Sequence, residues 1–313
     1  MYTSESQIED FICEYMRSRV VAETTVRAVL RRAAEHEDKY GKHFYDFTET
    51  EILNMFKDAH VISDMSLQNW NNILKHAARW ILFRQGKEMI SAYEDITKDK
   101  VKECVDVQKK NSMVLSREDV NRIQDDLYNW TDKAIIELLY LGVGGKWLRE
   151  LCYLTEDQVS HTNMAIYFKN GKKISIDERA YRIVCNALEE TEMMSYSAEP
   201  KVSIVKSVGI YKIKNNTLYD NSNAKDETDA ERRFRWVQRR LKIIKDYVGV
   251  PMTSGSIQNS GLLHFLQQGV AETGMSFREF VCSEQGKELA KRYDYYSALY
   301  TTSLIDKFKY YFE

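Results

Sequence analysis

The sequence predicts a mainly α-helical protein with a small β component. Three observations carry that prediction. Helix breakers are scarce, with two prolines and thirteen glycines among 313 residues, and each placed inside a helix costs about 3 or about 1 kcal/mol respectively. Apolar residues recur through much of the chain at the spacing of a buried helix face. Strand-like patterns are confined to two stretches. The length suits two domains. A composition of 43% hydrophobic and 29% charged residues is that of a chain with a core, not of a disordered one.

Residues 4–86 read as four helices, a first domain over 1–86. The first runs from about Ser4, a plausible N-cap with Gln7 three residues on, to Arg19. It places Ile8, Phe11, Ile12, Tyr15 and Met16 on one stripe. The second spans about Ala22–Tyr40, with Thr25, Val29 and Ala33 inward and Gly41 as its stop. The third opens at the capping-box pattern Thr48 to Glu51. The fourth begins near Ser66, carries Trp70, Ile73, Leu74, Ala77 and Ile81, and ends before Gly86. Residues 87–114 are charged and weakly amphipathic, and read as a linker. A second domain over 115–313 opens with the helix start Ser116 to Asp119, followed by an apolar helix over 132–141 and the turn Gly142-Val143-Gly144-Gly145. Met164–Ile176 alternates around Asn170-Gly171, a strong hairpin signal. A second β-like stretch, Val202–Leu218, centres on Asn215-Asn216. The polar run 220–230 reads as a loop. A basic helix over 231–248, a helix from Gly255 to Gln268 and a tyrosine-rich tail complete the chain.

Several classes of protein are excluded or disfavoured. No run approaches the twenty or so apolar residues that span a bilayer, and the N-terminus lacks the pattern of a signal peptide, so a cytoplasmic location is expected. The five cysteines are scattered and no HExxH occurs, so neither a disulfide framework nor a metal site is expected. The glycine turn lacks P-loop spacing, there is no GxSxG, and Glu189-Glu190 read as solvated carboxylates. No cofactor is expected.

Net charge is −2, which alone argues against nucleic-acid binding. Charge distribution points the other way, because phosphate contact needs only one basic face. Glu231–Lys245 carries Arg232, Arg233, Arg235, Arg239, Arg240, Lys242 and Lys245 opposite an apolar stripe of Phe234, Val237, Leu241 and Ile244. That helix face is either solvated, phosphate-contacting or laid on a membrane. In the first domain, Arg27, Arg31 and Arg32 follow the second helix, and Lys75, Arg79 and Arg84 follow the fourth beside Asn69, Asn72 and His76. These residue types also read base edges, although ordinary helix surfaces carry them as well.

Two boxes add a family resemblance. LLYLGVGGKWLRELCYLTEDQV is similar to the tyrosine recombinase pattern LLYTGLRxSELLxLxWxDI, and TSGSIQNSGLLHFLQQGV to TxHxLRHTFAxxLLxxGV. The order of parts resembles the same family, the phage integrases. The resemblance implies a helical core-binding domain and a catalytic-like domain that clamp double-stranded DNA. The family cleaves DNA with a tyrosine, holds the phosphate with two arginines, and moves protons with a hairpin lysine and histidines. Here the first arginine position holds Trp147, or Lys146 with a shift of one, and Arg149 breaks the spacing. The HxxRH positions hold Gly255, Gln258 and Asn259, and no histidine follows His264. Lysines remain on the hairpin at Lys169, Lys172 and Lys173. Tyrosines Tyr293, Tyr295, Tyr296 and Tyr300 lie near the expected nucleophile.

Losing both arginines removes the preorganised charge that stabilises a phosphorane, and neither Gln nor Trp supplies the bidentate fork. The expectation is a protein that is not an enzyme but binds DNA: a sequence-specific repressor of a temperate phage that maintains lysogeny. Its partners would be operator sites in the phage genome and a regulatory protein or inducer. An active but divergent recombinase, and a protein-interaction module without DNA binding, stay open. So does whether the C-terminal segment packs in its own chain or exchanges between protomers, as it does in the family.

Overall fold

The computed structural model describes residues 5–18, 22–88, 90–214, 228–296 and 299–312. The chain divides into two compact units, Met1–Asn111 and Ser112–Glu313. No helix among the described residues is long and apolar enough to cross a membrane.

The first unit is helical. α1 (Glu5–Ser18), α2 (Glu23–Tyr40), α3 (Glu49–Asp58) and α4 (Asp64–Arg84) answer to the four expected helices; the proposed cap Ser4 and the end at Arg19 lie outside the described residues. α2 ends where Gly41 turns left-handed at φ 67° and donates its N–H to the Glu37 carbonyl. Its inward face uses Val26, Val29, Leu30 and Ala33, while Thr25 is exposed. α3 starts in the Thr48/Glu51 capping box, and α4 starts earlier than expected, capped by Ser63.

The segment read as a linker is not one over most of its length. Tyr93, Ile96, Val101 and Cys104 are buried in this unit's core, two of them on the short helix pair that follows, α5 (Lys98–Lys102) and α6 (Val107–Ser112), or at its edge. The Tyr93 hydroxyl donates to the Phe44 carbonyl at 3.2 Å, and Asn71 donates to the Tyr93 carbonyl at 3.2 Å. High charge hid four apolar side chains, but those four are enough to anchor the segment.

The second unit is built around α8 (Trp130–Tyr140), which follows α7 (Arg117–Asp126) with its Ser116/Asp119 capping box. Ile135, Ile136, Leu138, Leu139 and Tyr140 are all fully buried. After the glycine turn come α9 (Arg149–Cys152) and an antiparallel sheet of β1 (Val159–Ser160), β2 (Ala165–Tyr167) and β3 (Lys173–Ser175). Gly171 turns that hairpin at φ 83°, as the Asn-Gly pair predicts. α10 (Glu178–Glu189) leads to a second antiparallel sheet of β4 (Glu192–Met194), β5 (Val202–Val208) and β6 (Tyr211–Lys214). Its β5–β6 turn falls at Gly209, φ 70°, and not at Asn215-Asn216, which with most of the 220–230 loop lies outside the described residues. Gly209 is required there, because a Cβ would stand 2.2 Å from the Leu154 carbonyl oxygen.

α11 (Asp229–Val248) and α12 (Ser254–Thr273) pack against α8. The tail forms α13 (Phe277–Cys282), α14 (Glu284–Arg292) and α15 (Tyr300–Phe308). It folds back on its own chain. Leu304 and Phe308 join Leu262, Leu266, Phe280 and Val281 in one core, and Phe312 stacks on Phe277 at 4.0 Å.

Candidate nucleic-acid interface and the pocket beside it

α11 begins in a Thr228/Glu231 capping box and ends at left-handed Gly249. At about 100° per residue, Arg232, Arg235, Arg239 and Lys242 fall on one side and Val237, Leu241 and Ile244 on the other. The first four are exposed and the last three buried. Arg232, Arg239 and Lys242 make no ion pair with another described residue.

Arg233 and Arg240, seven apart, share the flank that turns inward, and they leave the expected DNA-facing set. Arg233 donates to Asp229 at 2.8 Å and to the Cys152 carbonyl at 3.3 Å, and its guanidinium lies 4.2 Å over the Tyr153 ring. Arg240 pairs bidentately with fully buried Asp132, at 2.8 and 2.5 Å. Desolvation opposes its charge and Asp132 more than compensates, holding the guanidinium above its ordinary pKa. Both arginines complete the core.

In the first unit, Arg27 pairs with Glu9 and with Glu23, Arg32 with Glu35 at 3.1 Å, and Lys75 and Arg79 both with Glu94 at 2.5 and 2.6 Å. Arg84 lies 3.6 Å from Asp10 and 4.2 Å over the Trp80 ring. Arg31 is exposed. Surface ion pairs of this kind add little to stability, so they do not lock these side chains in place.

Of the positions that the resemblance singles out, those of the second box and two of the tail tyrosines lie around one pocket, whereas Trp147, Tyr296 and Tyr300 do not line it. Gly255, Gln258, Asn259, Tyr293, Asp294 and Tyr295 line a pocket of about 240 Å³ that Leu262 completes. The glycine turn forms its neighbour. Gly142 and Gly145 take φ 85° and 77°, and Trp147 and Leu148 are also left-handed, at 61° and 50°, a strained conformation for non-glycine residues. Trp147 sits edge-on to Phe234 at 5.3 Å, which ties the turn to α11. The glycine of the recombinase pattern aligns with Gly142, so its arginine falls two residues on, at Gly144, and not at Trp147 or Lys146 as expected. A Cβ at Gly144 would meet Gln258 Nε2 at 2.6 Å and Asp294 Oδ2 at 2.7 Å.

One carboxylate, Asp294, lines the pocket, and a second, Glu150, braces the glycine turn beside it. Asp294 accepts from the Gly145 N–H at 2.7 Å. Glu150 accepts from the Gly144 N–H at 2.9 Å and from Asn170 at 2.9 Å. Lys172, the hairpin lysine that reaches the turn, is half-buried. It donates to Glu150 at 2.7 Å and to the Gly142 carbonyl at 2.9 Å, with Asp294 at 3.7 Å. It too leaves the expected DNA-facing set, whereas Lys169 is exposed. Gln258 reaches toward the Val143 carbonyl at 3.5 Å.

The tail residues have structural partners that the sequence did not disclose. Tyr293 donates its hydroxyl to the Tyr140 carbonyl at 2.5 Å and Arg292 donates to the Leu141 carbonyl at 2.6 Å, which satisfies the C-terminal end of α8. Burial pushes the Tyr293 hydroxyl far above its ordinary pKa. Lys307 donates to Asn259 at 2.6 Å and to the Tyr295 hydroxyl at 2.8 Å, and burial pushes its pKa down to about 8. No group of acidic, histidine or cysteine side chains among the described residues could hold a metal.

The helical first unit and the converging pocket of the second define a tyrosine-recombinase-like protein. The family model described as MrpR, C-terminal catalytic domain, matches residues 114–308, and that described as MrpR, N-terminal core-binding domain, matches residues 1–82. The chain belongs to the MrpR family. It is similar to the SPbeta prophage-derived uncharacterized protein YopR of Bacillus subtilis strain 168, at 22% identity over 259 residues, covering 80% of this chain and 78% of that one. Among solved structures it aligns with XerA recombinase at 12% identity and a TM-score of 0.33, over 96% of this chain and 97% of that one.

Proposed function

We propose that this protein is a sequence-specific DNA-binding repressor of a temperate phage, acting in the cytoplasm to maintain lysogeny, built on an integrase scaffold without strand-transfer chemistry. The observation that carries this reading is the chemistry of the pocket. Where a recombinase presents two arginines to the scissile phosphate, this chain presents the Gln258 amide and the Asp294 carboxylate, and its hairpin Lys172 is already bound to Glu150. A phosphate placed there meets the Asp294 carboxylate and side-chain amides, while the nearby cations Lys172 and Lys307 are already engaged, the first by Glu150 and the second by Asn259 and Tyr295. Tyr293, buried and bonded to a backbone carbonyl, is not poised to attack.

Binding is supported by different residues: the exposed stripe Arg232, Arg235 and Arg239 of α11 and Lys169 of the hairpin, with Arg27, Arg31, Arg32, Lys75, Arg79 and Arg84 of the core-binding unit. The prophage origin of the YopR relative supports the phage setting. A nicked suicide duplex tests the absence of chemistry: the duplex should shift with the protein, yet no covalent adduct should survive detergent. A detergent-resistant adduct would overturn the reading.

A further inference from the structure

One face of the second sheet lies in the protein; the other meets α11 at Tyr211, whose ring is 5.2 Å from that of Trp236, and is open to water around Val202 and Ile204. Met193, Val205 and Lys212 point inward and are buried, the Lys212 ammonium donating to the Ala187 carbonyl at 2.5 Å and to Ser207 at 2.7 Å. The alternate residues of the same strands form the other face. There Val202 and Ile204 are 58% and 62% exposed, and Met194 and Ile213 are exposed beside them. Apolar side chains grouped on one sheet face are unusual for a monomer's surface and mark an interface.

The register supplies the occupant's chemistry. Glu192 pairs across β4–β5 with Ile204, Met194 with Val202, and Lys206 pairs across β5–β6 with Ile213. Glu192 and Lys206 therefore flank Ile204 from different sides of the patch. Neither makes an ion pair with another described residue. A two-fold axis lying in the face, diagonal to the strands and passing by Ile204, sets each Glu192 against Lys206 of the second copy and brings Met194 toward Ile213 of the second copy. A patch that matches itself under a two-fold rotation in both shape and charge is the requirement for an isologous interface.

We infer that the chain forms a two-fold dimer through the outer face of the β4–β5–β6 sheet, with Ile204 at the centre and reciprocal Glu192–Lys206 ion pairs on either side. The assignment is independent of what the chain binds.

Analytical ultracentrifugation of the full chain tests it, with circular dichroism confirming that each variant is folded. The wild type should show a concentration-dependent monomer–dimer equilibrium. Ile204→Asp should leave a folded monomer. Glu192→Lys and Lys206→Glu should each weaken the dimer on the order of tenfold or more, because each places like charges opposite one another. The double exchange Glu192→Lys with Lys206→Glu should restore it. A wild type that stays monomeric at every concentration, a dimer indifferent to Ile204→Asp, or a double exchange as weak as the single changes would overturn the inference.

Discussion

The outer stripe of α11 and the pocket at the Gly142–Gly145 turn lie in the same unit, and both hold basic side chains, but they dispose of the charge in opposite ways. Arg232 and Arg239 stand in solvent. Lys172 and Lys307 are half-buried and engaged by the fold, the first held by Glu150 and the second by Asn259 and Tyr295. Arg240 repeats the contrast within one helix, since it is next to Arg239 in sequence and bonded to buried Asp132 in the structure. A cation free in solvent can exchange its water for a phosphate at little cost, whereas one already paired inside the fold must first break its pair. Exposure and pairing thus separate, within one unit, cations available to an anion from cations that hold the fold together.

The contrast between Arg239 and Arg240 is the sharpest to break. Arg240→Ala leaves Asp132 buried without its partner and should cost about 3–5 kcal/mol in urea or guanidinium unfolding. A loss of a few tenths would show that the pair is not closed. Gly261→Ala comes next. A Cβ there would stand 1.8 Å from the Tyr140 carbonyl oxygen and 2.7 Å from the Tyr293 hydroxyl, so α12 must move from α8. Thermal melting should report a loss of about 1–3 kcal/mol.

A smaller effect follows from Lys307. Its pKa is pushed down to about 8 by burial, as is that of Lys212, against about 10.4 for an unfolded lysine. Between those values the unfolded chain binds more protons, so stability should rise with pH from about 8 to about 10.4 and these groups add no slope below that window. Lys307→Met should remove part of the rise, read from denaturant midpoints at about pH 8 and about pH 10; an unchanged slope would count against a buried amine. The smallest effect on stability belongs to the pair Arg232→Ala and Arg239→Ala, expected within about 0.5 kcal/mol of wild type. That double change should nonetheless lower the slope of log affinity for duplex DNA against log salt by about 2. An unaltered slope would remove α11 from the interface.

Much of this was legible in sequence wherever a local rule has a local cause. Capping boxes at Thr48 and Ser116 and the Asn170-Gly171 turn appear where the rules place them, because each is settled by a few adjacent residues. Of the two recombinase-like boxes, the second contributes Gly255, Gln258 and Asn259 to the pocket, whereas Trp147 of the first packs on Phe234 instead. What failed to show was long-range partnership. Composition makes 87–114 look solvated, and only the fold reveals the place that Tyr93 fills. Nothing near Arg292 or Tyr293 announces that their acceptors are the carbonyls of Leu141 and Tyr140, some 150 residues earlier. Arg233 and Arg240 were within reach of a finer reading, because their seven-residue spacing places them together on the buried flank of α11 and apart from Arg232 and Arg239.

Binding without strand transfer is tested most directly by recovering fragments of the source phage genome on the purified protein at near-physiological salt, then sequencing them and assaying for protein that stays attached after detergent. Several sites sharing one motif, all free of attached protein, are the expected result. A single attachment-like site carrying covalently bound protein would contradict it.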